Sequence, residues 1–212
     1  MSLLVDLSGY LQKGEALKVA ELTQKAIDEK IEPKTILDDG LIAGMNVVGE
    51  NFKNHKIFLP HVLLAAKAMY AGMDLLKPLM IKEGIPTMGK VVIGTIKGDL
   101  HDIGKNLVGI MLKGAGFDVV DLGKDVPPEK FIDTAQKEKA QVIGLSALLT
   151  TTMSGMKEVI KILKERGLYG KIKVIVGGAP LSSDFAREIG ADAYCFDGIK
   201  AVECVKRFVG VA

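Results

Sequence analysis

Apolar residues recur at helical spacing through the first 84 residues of the chain. The pattern predicts four helices, over residues 3–12, 14–29, 33–53 and 58–80, separated by short polar breaks. The third helix carries an apolar stripe at spacings of three and four, formed by Ile36, Leu37, Gly40, Leu41, Gly44, Met45, Val48 and Phe52. Four amphipathic helices with short connections favour an antiparallel four-helix bundle.

The pattern changes after a linker predicted at residues 85–90. Short runs rich in β-branched residues then alternate with helical stretches. The runs cover residues 91–95, 119–122, 142–146, 174–176 and 193–196, and the helical stretches cover 103–115, 127–139, 153–166, 182–189 and 199–209. Five such units predict a flavodoxin-like (Rossmann-type) five-stranded parallel sheet of order 2-1-3-4-5, with helices on both faces. We therefore expect a helical domain at 1–84 and an α/β domain at 91–212.

Composition adds three exclusions. With 28 Lys and Arg against 26 Asp and Glu, the net charge of +2 gives no electrostatic reason to expect nucleic acid or a membrane surface as partner. Cys195 and Cys204 lack metal-ligand spacing, so we expect buried thiols in a reducing compartment. No segment has the pattern of a signal peptide or a membrane span, so we expect a cytoplasmic protein.

Candidate chemistry follows three of the predicted strands. The first strand leads into a turn from Gly98 to Gly104 that contains Asp99 and His101. The third strand leads into the hydroxyl-rich loop 146–152, and the fourth into Gly177-Gly178. Ligands of such sheets bind where the strand order reverses, between strands 1 and 3, so the three loops could line one pocket. A histidine with a carboxylate two residues earlier is a candidate metal ligand there.

Nucleotide-binding alternatives fit this turn poorly. A P-loop needs four residues between its glycines and a hydroxyl after its lysine, whereas Gly98 and Gly104 enclose five residues and Asn106 follows Lys105. The spacing GxGxxG of a dinucleotide site is absent from residues 94–104. A phosphoacceptor domain of this fold would need an acidic residue where the chain has Ser146.

The motifs Asp99-x-His101-x-x-Gly104, Ser146-x-Leu148 and Gly177-Gly178, in this order, carry a family resemblance. Together they resemble the cobalamin-binding domains of methionine synthase, of cobamide-dependent mutases and of corrinoid methyl-carrier proteins. The helical half, with residues 45–50 followed by Phe58-Leu59-Pro60, is similar to the cap domain of methionine synthase. The chain most resembles the free-standing corrinoid proteins of methylamine, methanol and methoxyl-compound methyltransferase systems.

The resemblance implies a cobalamin or related cobamide, bound with its own base displaced. His101 would be the lower axial ligand of cobalt, Asp99 would accept a hydrogen bond from its other ring nitrogen, and Thr152 would complete the triad where the family has Ser. The triad would take up a proton when His101 leaves the reduced metal. The other implied cofactor contacts are Asp102, Ile103, Gly104, Ser146, Leu148, Thr150, Gly177 and Gly178, of which Ser146, Thr150 and the paired glycines would meet the nucleotide tail.

Phe58 has two interpretations. It belongs to a helical stripe with Val62, Ala65, Ala66 and Met69, which is typical of bundle core. The cap resemblance instead implies that Phe58 shields the bound methyl group and contacts the cofactor. His55 and His61 lack neighbouring ligands in the sequence, so we interpret them as ordinary loop and helix residues.

The implied function is that of a non-catalytic methyl carrier in one-carbon metabolism, such as methanogenesis or acetogenesis. A substrate-specific methyltransferase would methylate the Co(I) cobamide, a second methyltransferase would pass the methyl group of the methylcobamide to a thiol or to tetrahydrofolate, and a reductive activase would restore Co(I). The cap would move about a hinge near residues 84–89. Three alternatives stay open: the cobalamin subunit of a radical mutase, a cobalamin-sensing regulator, and a flavodoxin-like domain without a cofactor.

Overall fold

The computed structural model describes residues 3–83 and 88–210, which divide into a helical unit and a sheet unit. The predicted linker and hinge fall largely on residues 84–87, which lie outside the described residues. The domain boundaries at 84 and 91 therefore stay predictions.

The helical unit contains all four predicted helical segments. Its elements are α1 (Leu3–Gln12), α2 (Ala16–Asp28), α3 (Pro33–Thr35), a π-helical segment (Ile36–Ile42), α4 (Ala43–Lys53) and α5 (Leu59–Lys82). The third predicted helix is thus an α-helix with a π-helical segment inside it. Among the described residues, no helix is both long enough and apolar enough to cross a membrane.

The π-helical segment changes which residues the third helix buries. The predicted stripe is buried up to Val48, but Ile42, outside that stripe, is buried too. A π turn holds one residue more than an α turn, so an additional side chain turns inward. Gly40 in this segment packs closely on α1, because a Cβ there would lie 2.6 Å from Cδ2 of Leu7.

The sheet unit confirms the predicted strand order. Its strands are β1 (Lys90–Thr95), β2 (Asp118–Asp121), β3 (Val142–Ser146), β4 (Lys173–Gly177) and β5 (Ala193–Tyr194). All pairings are parallel and the order is β2-β1-β3-β4-β5. Thr95 lies opposite Ser146, and Ser146 lies opposite Gly177, so β1, β3 and β4 end side by side. The fifth strand has two residues where the sequence predicts four.

Helices cover both faces of the sheet, as predicted. They are α6 (Ile103–Gly114), α7 (Pro128–Glu138), α8 (Ser154–Glu165), α9 (Ser183–Ile189) and α10 (Gly198–Val209). Gly109 of α6 packs on Ile93 of β1, whereas Phe131 of α7 packs against Gly94, which faces the other way in the same strand. Cys195 and Cys204 are buried free thiols, as the sequence predicts.

Candidate functional site

Asp99 is the centre of the hydrogen-bond network at the carboxyl edge of the sheet. Its side chain is fully buried in the turn between β1 and α6. One carboxylate oxygen accepts from the backbone N–H of His101 at 3.0 Å and lies 2.8 Å from His101 Nδ1. The other accepts from the N–H groups of Leu148 and Leu149, at 2.7 and 3.1 Å. The turn after β1 and the loop after β3 are thereby joined through one side chain.

The same hydrogen bonds keep Asp99 ionised. Burial on its own raises the pKa of a carboxyl group, because it removes the charged form from water. Here the donors contributed by His101, Leu148 and Leu149 outweigh burial and hold the pKa of Asp99 well below its usual range. Asp99 is therefore a buried carboxylate that can only accept hydrogen bonds.

An ionised Asp99 fixes the tautomer of the neutral His101 ring. Since the carboxylate can only accept, Nδ1 must carry the hydrogen, and a neutral imidazole then has its lone pair on Nε2. The His101 side chain is 50% exposed, although its partner is fully buried. The turn thus presents one oriented imidazole nitrogen that is able to bind a metal.

Thr152 joins the network through its hydroxyl group. Oγ1 lies 3.0 Å from a carboxylate oxygen of Asp99 and 2.9 Å from the carbonyl oxygen of Leu149. A hydroxyl has one proton, so it donates to only one of these two acceptors at a time. The structure thus brings together Asp99, His101 and Thr152, the three residues of the predicted triad.

The turn is also anchored from its own strand. The hydroxyl of Thr95, the last residue of β1, is buried and donates to the carbonyl oxygen of His101 at 3.0 Å. The backbone N–H of Asp99 donates to the carbonyl of Ile96 at 3.1 Å. These contacts hold the backbone on both sides of the Asp99 carboxylate.

The loops after β3 and β4 meet at the two glycines predicted to make room for a ligand. Gly178 has φ +136°, and a Cβ there would lie 1.8 Å from the carbonyl oxygen of Ala147. A Cβ at Gly177 would lie 2.9 Å from the carbonyl oxygen of Cys195. The backbone of the neighbouring loops therefore requires these glycines, whether or not they also face a ligand. Ser146 ends β3 between them and Thr95.

The surface around His101 is open and apolar. A Cβ at Gly104 would meet nothing within 4 Å, so this position differs from the closely packed glycines at 177 and 178. Several large apolar side chains at the same edge are exposed to solvent: Leu100, Ile103, Leu148, Leu149 and Phe196. Thr150 is exposed in the same loop as the last two leucines, and Asp102, half-buried, precedes α6.

These features fit a metal that a flat macrocycle already holds. A metal that a corrin ring already holds needs few protein ligands, and one imidazole nitrogen would suffice. His101, whose side chain is 50% exposed, would supply that nitrogen. The open position at Gly104 and the exposed leucines at 100 and 148 offer backbone and apolar surface to a large ring.

Phe58 is not part of the core of the helical unit. Val62, Ala65, Ala66 and Met69 of the predicted stripe are buried, but Phe58 is 69% exposed. It precedes α5, where its backbone N–H donates to His61 Nδ1 at 3.3 Å. The core interpretation is therefore wrong for Phe58, because the stripe begins only at Val62, inside the helix.

The sequence interpretation missed several residues that shape the turn. Thr95, Leu149 and Asp125 contact its backbone or its carboxylate, and buried Lys105 pairs with Asp121 at the end of β2. The available signal was position, since Thr95, Asp121 and Asp125 all lie at or just beyond the carboxyl ends of β1 and β2. Backbone donors such as Leu149 leave no signal in side-chain identity.

Two family matches cover most of the chain. A B12 binding domain matches residues 89–205, and a second B12 binding domain matches residues 3–77. The sheet unit and the helical unit thus each correspond to a B12-binding family.

Individual relatives match over nearly the full length. A corrinoid protein of Desulfitobacterium hafniense is 45% identical, with 99% of each chain covered. The dimethylamine corrinoid protein of Methanosarcina barkeri is 49% identical over 90% of each chain. Among solved structures, the methanol:cobalamin methyltransferase complex MtaBC of Methanosarcina barkeri matches with a TM-score of 0.88 and 35% identity, covering 99% of this chain and 80% of that one. The resemblance drawn from the three motifs is confirmed, and the chain belongs to the B12-binding corrinoid proteins.

Proposed function

We propose that this corrinoid protein carries a methyl group on a cobamide bound with its own base displaced and His101 in its place. The observation that carries the proposal is the bond of 2.8 Å between Asp99 and His101 Nδ1, which leaves Nε2 of a half-exposed ring to bind cobalt. When bound, the cobamide supplies a cobalt centre that accepts a methyl group in its Co(I) state and releases it to an acceptor.

Different residues of the site would have different roles in holding the cofactor. His101 would hold the metal through Nε2, and Asp99 would fix the tautomer and the orientation of the His101 ring. Thr152 would support Asp99 by a hydrogen bond from its hydroxyl, which can donate either to that carboxylate or to the Leu149 carbonyl. Asp102, Ile103, Gly104 and Leu148 would contact the cofactor, since the position at Gly104 is open and the side chains of Ile103 and Leu148 are exposed.

The nucleotide tail would lie along the ends of β3 and β4. Ser146 and Thr150 offer hydroxyl groups to its polar atoms, and Gly177 and Gly178 keep side chains out of its path. The close approach of Gly178 to Ala147 supports a role in loop packing as well.

We further propose that residues 1–84 form the cap, joined to the cofactor domain through residues 85–90. The exposure of Phe58 supports a role in contacting the cofactor, since a large apolar side chain outside the core of its unit is available to a ligand.

The methyl group would come from a substrate-specific methyltransferase, and a second methyltransferase would pass it to a thiol or to tetrahydrofolate. A reductive activase would return oxidised cobalt to Co(I). The Methanosarcina barkeri relative is named for dimethylamine, which makes methylated amines the first donors to test.

Reconstitution tests the proposal. The protein is loaded with cobalamin, reduced to Co(I), and mixed with dimethylamine, trimethylamine or methanol and the corresponding methyltransferase. A second methyltransferase and its thiol or tetrahydrofolate acceptor are then added. We expect the visible spectrum to change with one donor, and mass spectrometry to show methyl transfer to an added thiol or to tetrahydrofolate. A chain that binds no cobalamin, or whose Co(I) form accepts a methyl group from none of these systems, would contradict the proposal.

A further inference from the structure

We propose that Asp125, in the loop after β2, is a positioning residue for the ligand turn, which we define as residues 98–101. The inference rests on the proposed function, because it concerns how firmly the turn presents His101 to cobalt. Among the described residues, the hydrogen bonds of Asp125 to this turn go to its backbone and not to the imidazole.

Asp125 makes two hydrogen bonds to the ligand turn. Its carboxylate accepts from the backbone N–H of Gly98 at 2.7 Å. Its own backbone N–H donates to the carbonyl oxygen of Asp99 at 3.1 Å. One residue of a neighbouring loop is therefore hydrogen-bonded to the ligand turn at two consecutive residues, Gly98 and Asp99.

These two bonds complement the contacts made by the side chain of Asp99. The Asp99 side chain fixes the orientation of the His101 ring. That orientation therefore depends on the position of the Asp99 backbone. Thr95 and Ile96 hold the ligand turn from its own strand, whereas Asp125 holds it from the loop of the adjacent strand β2. Supports from two strands restrict the turn more than either does alone, and a catalytic or binding group needs such support to keep its geometry.

Both ends of the Gly98 contact are in the left-handed region of backbone conformation. Asp125 has φ +56° and Gly98 has φ +84°. Among residues with a Cβ, Asp and Asn adopt this region with the least strain, and Gly adopts it freely. A matched series follows: Asp125→Asn keeps an acceptor oxygen and the conformation, whereas Asp125→Gly keeps the conformation and removes the acceptor.

The contact is suited to positioning rather than to global stability. Asp125 and Gly98 are both exposed, so water can replace the lost partner when the carboxylate is removed. Asp125→Gly should therefore leave the protein folded while allowing the ligand turn to move. Loss of an outer support of a metal ligand commonly lowers affinity or function about 10–100-fold, and we expect an effect near the lower end.

Electron paramagnetic resonance of the Co(II) cobalamin complex measures the ligand directly. In protein made with 15N-histidine, a bound His101 splits the cobalt signal into doublets, whereas the 14N of the cofactor's own base gives triplets. The fraction of protein with doublet splitting, called here the split fraction, reports how much protein has His101 bound. We expect Asp125→Gly to lower that fraction and to weaken cobalamin binding about tenfold, with Asp125→Asn close to the wild type. Hydrogen exchange in the cofactor-free protein should be faster at the Gly98 amide in Asp125→Gly alone.

Asp192→Gly is the matched control. The Asp192 carboxylate also accepts from a backbone N–H, that of Val174 at 2.8 Å, but at the start of β4 rather than at its carboxyl end. Its loss should leave the split fraction unchanged even if stability falls. If hydrogen exchange at Gly98 is faster in the Asp125→Gly protein and this protein still binds cobalt through histidine as fully as the wild type, the positioning role is wrong. The proposed function would not be affected by that result. A wild-type complex without histidine splitting would overturn the proposed function itself.

Discussion

The Asp99 carboxylate accepts a hydrogen bond from the backbone N–H of His101 at 3.0 Å and one from its ring Nδ1 at 2.8 Å. The two bonds close a small ring of atoms around one residue pair, so the imidazole cannot turn without losing a charge-assisted contact. The sheet unit therefore holds its candidate ligand in a defined orientation before any cofactor arrives.

Replacing His101 tests the ligand role. We expect His101→Ala to hold cobalamin loosely and to slow methyl transfer, because the metal loses its protein ligand while the apolar surface remains. Affinity is measured by titration followed in the visible spectrum, and transfer by the rate of spectral change with the methyltransferase. His55→Asn is the control, since His55 is exposed at φ +56° and Asn tolerates that conformation. Unchanged binding and transfer in His101→Ala would show that the ligand assignment is wrong.

Replacing Asp99 by Asn should affect both stability and binding. The amide has one acceptor oxygen where the buried carboxylate has two, so an N–H of His101, Leu148 or Leu149 would lose its partner. Such a loss costs about 1–3 kcal/mol of unfolding free energy, and the weakened imidazole support should lower cobalamin affinity about 10–100-fold. Urea unfolding and cobalamin titration measure the two effects. Asp118→Asn is the control, because its partly buried pair with Lys90 is worth about 1 kcal/mol and lies at the amino end of β2, away from the ligand turn. Equal effects of both variants would contradict the account.

Two glycines should respond to alanine in opposite ways. In Gly178→Ala the new Cβ would clash with the Ala147 carbonyl at φ +136°, so we expect a loss of at least about 1–3 kcal/mol of stability. In Gly104→Ala the Cβ enters open space in the first turn of α6, so stability should stay or rise by up to about 1 kcal/mol.

Cobalamin affinity provides a second test of the Gly104 position. Gly104→Ala should weaken binding despite its stable fold, because the methyl group would occupy the surface against which the ring is proposed to lie. Thermal unfolding measures the stability of the two glycine variants, and cobalamin titration measures their affinity. A Gly104→Ala protein that binds cobalamin as tightly as the wild type would remove Gly104 from the proposed contact surface.

Alkaline pH provides a test of packing in the helical unit. Burial raises the pKa of Tyr70 from 10.0 to about 12, because the charged phenolate is disfavoured away from water. The unfolded chain loses this proton first, so the stabilising effect is complete below pH 10 and is lost as the pH rises toward 12. The difference in phenolate absorbance between the folded wild type and folded Tyr70→Phe reports the titration of Tyr70. We expect this difference to titrate near pH 12. A titration near pH 10, as for an ordinary tyrosine, would contradict the packing of α5.

Strand positions and their order could be predicted closely from the sequence. The apolar β-branched runs of β1 and β3 are buried on both faces, which makes them distinct from the amphipathic helices between them. The rule that ligand loops gather where the order reverses predicts that the loops containing Asp99 and Thr152 lie together. Local pattern and topology sufficed for these features.

Other features depend on tertiary contacts that leave little trace in the sequence. The donors from Leu148 and Leu149 to Asp99 belong to the backbone, and any residue type could supply them. Phe58 continues an apolar stripe but precedes the helix that would bury it, so periodicity placed it in the core wrongly. The π-helical segment likewise has the apolar spacing of an ordinary helix.

Nitrogen labelling of histidine tests the central claim most directly. The protein is produced with 15N-histidine, loaded with unlabelled cobalamin and measured by electron paramagnetic resonance in the Co(II) state. If His101 Nε2 binds cobalt, the triplet splitting from 14N becomes a doublet from 15N, and the doublet is absent from His101→Ala. A triplet that survives the labelling would mean that the cofactor keeps its own base, which would contradict the account.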